Sequence, residues 1–229
     1  MPTDRLAGEN GDDVTLFERI LRRIHPSPRR AMSHGDLITR LIDDHAGRFH
    51  QPAVLVETGC GLSTVALARA ARGLEAVAYS CDYNQEKIAE LQRRSSDTAD
   101  VVFRAGDSQE SLRAIVADHA YLDLVFLDSA ASAMHTWREF LIVEPRLQPG
   151  AVLLVDNAAL PGARRLLSPV RKGKILVHYL LASPVWEVEG FPAAGDSMVG
   201  AYRHAEPDYA DPRYEDPDYV DHWRATLGV

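Results

Sequence analysis

The segment Val54-Leu-Val-Glu-Thr-Gly-Cys-Gly-Leu-Ser-Thr64 constrains this chain more than any other. An apolar run suited to a buried strand ends on the acid Glu57. Two glycines follow, one residue apart, and Val65-Ala-Leu-Ala-Arg-Ala70 then continues with helical character. A strand, a tight turn and a helix start in that order aim backbone N–H groups at a ligand. Glycines, lacking a Cβ, let that ligand come close. The pattern points to a nucleotide-like cofactor. A glycine pair also arises for purely steric reasons, but here the next apolar run, 76–81, ends on Asp82, 23 positions after Gly59. Doubly wound nucleotide-binding folds place an acid near there for the two ribose hydroxyls. Thr64 stands where a dinucleotide fingerprint needs its third glycine, and a carboxylate at Glu57 would face a pyrophosphate. Both count against NAD. Glu57 suits the cationic amino group of S-adenosylmethionine (SAM).

The rest of the chain alternates. Helical periodicity is expected over 62–71, 85–94, 108–117 (capped by Ser108) and 132–146, and strands over 76–81, 100–104, 122–127 and 151–155. Two further strands, 175–181 and 198–203, follow each other with no evident helix between them and are expected to form an antiparallel hairpin at one edge. The fold class is α/β, a Rossmann-like doubly wound sheet of seven strands with an antiparallel last hairpin and helices on both faces. Two amphipathic helices, 14–24 and 36–45, precede it. The expected organisation is N-terminal helices on the substrate side over 1–50, a cofactor-binding core over 51–204 and an acidic Tyr/Pro tail over 205–229. In such sheets ligands bind beyond the carboxyl ends of the strands, where Glu57, Asp82, Asp128 and Asp156 all fall.

With 229 residues and 46% hydrophobic content the chain can bury one substantial core. Its formal net charge of −8 disfavours nucleic acid and anionic membrane as partners. A basic patch around Arg164, Arg165, Arg171, Lys172 and Lys174 is short enough to be a solvated face. There is no apolar run of membrane-span length and no signal-peptide core at the N-terminus, and Cys60 and Cys81 lack zinc spacing. A cytoplasmic protein with reduced cysteines is expected.

Taken together these residues resemble class I SAM-dependent methyltransferases, and among them the metal-dependent catechol O-methyltransferase type, from about residue 31 to residue 203. Met32-Ser-His-Gly-Asp36 resembles the segment that lies over the methionine end of SAM. Glu57, Gly59, Gly61 and Ser63 match the first motif, Asp82 the ribose acid (usually Glu in the catechol enzymes), and Tyr83 the side chain packed on adenine. Gly106-Asp107-Ser108-Gln109 resembles the adenine-binding turn. Phe126-Leu-Asp128 and Val155-Asp156-Asn157 match the strand ends that hold the metal, with Asp128 also bordering the cofactor. The resemblance implies SAM and Mg²⁺ as cofactors. Asp128, Asp156 and Asn157 would offer hard oxygen ligands, and a diol chelated there would lose a proton readily and be aimed at the sulfonium methyl. Asp and Asn also commonly end a strand with no metal present.

Two departures stand out. The family's lysine base, three positions after the first metal ligand, is Ala131 here, and the lysines of the chain, Lys87, Lys172 and Lys174, all lie far from Asp128 in sequence. His135, one helical turn after Ala131, is the candidate replacement, with its imidazole expected to point at Asp128. The adenine-covering side chains after Asp128 are replaced by Ser129 and Ala130. Glu187 and Glu189 lie near the family's carboxylate for the second hydroxyl, next to an apparent insertion around 191–195. The tail repeats a Pro-x-Tyr unit with period five over 207–221, as a solvated segment or as a strap that could favour a homodimer.

The expected activity is SAM-dependent O-methylation of a small catechol-like or vicinal-diol acceptor, assisted by Mg²⁺. The alternatives are a metal-independent SAM methyltransferase, a catalytically silent SAM-binding protein and, more remotely, an NAD-dependent oxidoreductase.

Overall fold

A computed structural model describes residues 33–93, 98–160, 172–193 and 196–205. The expected 14–24 helix and the tail repeat lie outside them. The described elements are α1 (His34–His45), β1 (Val54–Thr58), α2 (Leu62–Leu74), β2 (Val77–Asp82), α3 (Gln85–Arg93), β3 (Val101–Ala105), α4 (Ser108–Asp118), β4 (Leu122–Leu127), α5 (Ala133–Val143), β5 (Leu147–Asp156), α6 (Gly173–Ala182), β6 (Trp186–Ala193) and β7 (Asp196–Arg203). The seven strands lie in one sheet in the order β3-β2-β1-β4-β5-β7-β6. β1 to β5 are parallel, while β7 is antiparallel to both β5 and β6. The expected doubly wound sheet with an antiparallel end is what forms.

The apolar runs of β1, β4 and β5 are explained by burial on both faces. Val54 and Val56 face a cluster with Leu112, Trp137, Phe140 and Leu176, from α4, α5 and α6. Leu55 faces the opposite cluster with Leu37, Leu41 and Leu67, from α1 and α2. The first described helix therefore packs into the same core as the sheet. At the foot of the sheet, buried Asp123 accepts from the His50 and Val54 N–H groups, both at 2.8 Å, which ties the entry of β1 to β4.

Two sequence expectations are corrected. Residues 175–181 are helical: α6 buries Leu176, Val177 and Leu180, and its Tyr179 packs edge-on to Trp137 and Phe140 of α5. A short, mostly apolar run, here broken only by His178, carries no clear period to separate a buried helix from a strand. The hairpin partner of β7 is instead β6, so Glu187 and Glu189 are strand residues opposite Tyr202 and Gly200, and Phe191 and Ala193 belong to the same strand, opposite Met198 and Asp196. The cap of α4 is Asp107, whose Oδ1 accepts from the Gln109 and Glu110 N–H groups at 2.9 and 3.1 Å; Ser108 is the first helical residue.

Chain order reverses between β1 and β4, and the crevice opens there. Gly59 has φ +89°, and a Cβ on it would lie 2.4 Å from the Asp128 carbonyl oxygen. Gly61 has open space where its Cβ would be. Gly59→Ala is expected to lower unfolding stability by about 3 kcal/mol, from the left-handed backbone and the overpacking together. Gly61→Ala should leave stability nearly unchanged and weaken cofactor binding. Urea denaturation midpoints with unchanged slope would check the first, and calorimetry the second.

Candidate active site

The turn after β1 is held by side chains that its sequence supplies locally. The Gly61 N–H donates to Thr64 Oγ1 at 2.8 Å, and the Thr64 hydroxyl donates to Glu57 Oε1. Ser80, on the neighbouring strand β2, donates to the same oxygen at 2.6 Å, and Ser63 also bonds Glu57. Thr64, where a dinucleotide motif would have glycine, is thus the link between the turn and the strand. Glu57 is fully buried, and its Oε2 has no hydrogen-bond partner among the described residues. Burial pushes its pKa up to about 7, against the pull of Ser80, Thr64 and Ser63. An orphaned acidic oxygen beside the glycine turn fits the ammonium group of an amino-acid-bearing cofactor.

Asp82 ends β2 and reaches back to the same turn. Its Oδ2 accepts from the Cys60 N–H at 3.1 Å and from Lys87 Nζ at 3.0 Å, and its Oδ1 accepts from the Asn84 N–H at 2.8 Å. Burial raises its pKa, but the Asn84 N–H, Lys87 and Cys60 more than offset this and hold it below the usual value. Such a carboxylate stays ionised and keeps lone pairs for ribose hydroxyls. Burial and Asp82 push the Cys60 thiol up to about 12, so it stays protonated; burial and Glu57 do the same to Cys81.

Tyr83 is 83% exposed and Leu62 79% exposed, two large apolar side chains held out at the rim of this turn. The Gly106 N–H donates to the Asp82 carbonyl at 3.0 Å, which brings the 106–109 turn to the same rim. Met32 lies outside the described residues.

His135 is not where the sequence reading put it. Its Nε2 lies 2.9 Å from Ser108 Oγ and 3.3 Å from Glu139 Oε1, and its Nδ1 lies 3.2 Å from the Gln109 amide nitrogen. Both ring nitrogens are engaged by these groups, so the imidazole supports the 106–109 turn instead of facing the Asp128 carboxylate. Fully buried Glu139, one turn further along α5, draws it there and also accepts from Ser129 Oγ at 2.7 Å.

The strand ends of β4 and β5 do bring Asp128 and Asp156 together, close enough that both carboxylates lie within 4 Å of one ammonium. Two residues that sequence reasoning missed converge on them. Lys172, at the start of α6, places its Nζ 2.5 Å from Asp128 Oδ1 and 3.6 Å from Asp156 Oδ2. His34, the first residue of α1, has Nε2 3.0 Å from Asp156 Oδ1. Burial and the proximity of Asp156 push the Asp128 pKa up against the pull of Lys172. Burial raises Asp156 as well, but His34, Asp128 and Lys172 outweigh it and hold it down. Asn157 has φ +50°, a left-handed conformation that Asn tolerates and that turns the chain after β5. The signal for His34 was its place in the quoted 32–36 segment. Lys172 had none, because it is 44 positions from Asp128. Glu187 and Glu189 lie on β6, which is separated from β4 by β7 and β5.

A family model described as a methyltransferase domain matches residues 56–158. No curated protein matches the chain. Among solved structures, the chain is similar to the O-methyltransferase TomG from Streptomyces achromogenes in complex with SAM. Identity is 21% over 80% of this chain and 86% of that one, with a TM-score of 0.59. An O-methyltransferase from Bacillus cereus in complex with SAH is 18% identical over 77% and 84% of the two chains, with a TM-score of 0.58. The N-methyltransferase NodS from Bradyrhizobium japonicum is 15% identical over 75% and 96%, with a TM-score of 0.53. Residues 56–158 thus match a methyltransferase domain, and the fold around them is one also found in SAM- and SAH-bound O-methyltransferases.

If the ammonium of the cofactor pairs with Glu57, binding must ionise that carboxyl. The affinity for S-adenosylhomocysteine should then rise roughly tenfold from pH 6 to pH 8, as a group with pKa near 7 loses its proton. Glu57→Gln should flatten the profile, as read by calorimetry. The stability of the free protein should move the other way. The folded state binds this proton more tightly than the unfolded chain, so the Glu57 contribution is fully present below about 4.5 and is lost as pH rises through about 7.

Proposed function

We propose that this protein transfers the methyl group of SAM to an oxygen of a small hydroxylated molecule. The observation that carries the reading is the Asp128–Asp156 pair, which stands with Lys172 and His34 beside the glycine turn at the reversal of strand order. SAM would be held at three places along this rim. Glu57 would take its ammonium, Asp82 its ribose hydroxyls, and Tyr83 with the 106–109 turn its adenine. The cofactor supplies an electrophilic methyl on sulfur, and the protein supplies position and charge for an in-line displacement. The acceptor would approach from the side of Asp128 and Asp156. His34, in contact with Asp156, is the imidazole that the structure brings to this pair in place of His135. The net charge of −8 favours a small-molecule acceptor over a nucleic acid.

Mg²⁺ was the cation expected between Asp128, Asp156 and Asn157. The residues present do not fit it as they stand, because the Lys172 ammonium lies on Asp128 and close to Asp156, and His34 lies on the other Asp156 oxygen. Among the described residues no three His, Cys, Asp or Glu side chains group as a metal site. The metal-independent form of the reaction is therefore our reading. Among the described residues no helix is long and apolar enough to cross a membrane.

Calorimetry should show SAM and S-adenosylhomocysteine binding, weakened by ~1.5–3 kcal/mol in Asp82→Ala as charge-assisted hydrogen bonds are lost. Methyl transfer to a member of a catechol and phenol panel should persist in excess chelator. Binding of NADH without SAM would end the methyltransferase reading, and activity abolished by chelator and restored by Mg²⁺ would return the metal to it.

A further inference from the structure

Lys172 is a charged side chain that has been taken out of water, with only 4% of it exposed, and set against two acids of different strands. Its arrival has a structural cause. A Cβ on the next residue, Gly173, would lie 2.7 Å from the Ala158 Cβ and 2.9 Å from a Val177 methyl. Only glycine lets the start of α6 press this closely on the chain just past Asp156. The approach sets Lys172 over the ends of β4 and β5. Asp156 is 7% exposed and Asp128 31% exposed at the side chain.

Two carboxylates set this close, both within 4 Å of one buried atom, need a cation or a shared proton. A divalent ion is one solution, with oxygen ligands from each acid. An ammonium borne by the protein is another, and it is the one present. We propose that Lys172 is a built-in replacement for a divalent cation. It holds Asp128 and Asp156 in place at the acceptor end of the crevice, and it blocks a metal site that the two acids would otherwise form. Of its three N–H donors, one is accounted for by Asp128. This role rests on the methyltransferase reading only in calling that end of the crevice the acceptor end. The latent metal site follows from the acids and the lysine alone.

The test is Mn²⁺ binding by the full chain, followed by the electron paramagnetic resonance signal of free Mn²⁺, with S-adenosylhomocysteine binding measured in parallel. The wild type should show no saturable Mn²⁺ site below about 1 mM, within the weak end of protein divalent-ion affinities. Lys172→Ala should gain one site per chain, at least about tenfold tighter, and Asp156→Asn added to it should remove that site. Lys172→Arg keeps the positive charge and should bind no better than the wild type. Lys172→Gln, closer to lysine in size, provides the same reading if the alanine variant does not fold. A tight Mn²⁺ site in the wild type would overturn the proposal. So would a neutral variant that still binds S-adenosylhomocysteine yet gains no Mn²⁺. Failure of the wild type to bind S-adenosylhomocysteine would strike the methyltransferase reading and leave the Mn²⁺ comparison standing.

Discussion

Everything at the site depends on how closely two strand ends meet. The turn after β1 passes against the Asp128 backbone so tightly that Gly59 has no room for a Cβ. The Asp128 N–H, in turn, donates to the Thr58 carbonyl at 2.9 Å. This contact sits where strand order reverses, the one place in a doubly wound sheet where two neighbouring loops part and leave a crevice. It brings a cofactor-binding turn and an acid of the second half within reach of one ligand.

On the cofactor side, the structure keeps its polar groups in linked pairs. Glu57 is buried at a cost that Thr64 and Ser80 reduce by hydrogen bonding one of its oxygens, while the other has no partner among the described residues. A buried, half-satisfied carboxyl is expensive in a free protein and useful in one that binds a cation. Asp82 is the opposite case, ionised and already held by the Cys60 N–H and Lys87, so its geometry is set before any ligand arrives. His135 joins α5 to the 106–109 turn, with its ring nitrogens at Ser108 and Gln109 and with Glu139 beside it.

On the acceptor side, charge balance is the organising constraint. Asp128 and Asp156 follow Leu127 and Val155, which are partners in the parallel pairing of β4 with β5, so the two acids fall side by side at the same end of the sheet. The positive charge between them is that of Lys172, carried in at the start of α6.

Local patterns determined much of this protein. The glycine turn, the acids at the ends of β1, β2, β4 and β5, and the alternation of strands with helices all follow from residues within a few positions of one another. Periodicity and turn chemistry act at that range. The same range explains the misreading of α6, since a short, mostly apolar stretch broken only by His178 carries no clear period, and its packing against Trp137 and Phe140 goes with a helix. What surrounds the two acids was decided by tertiary structure. His34 and Lys172 reach Asp156 from opposite ends of the described chain, and His135 turns to Glu139 because that buried carboxylate lies one helical turn away. A side chain's partner across tens of residues is set by where the chain returns. Here the return depends on Gly173 having no Cβ to meet Ala158.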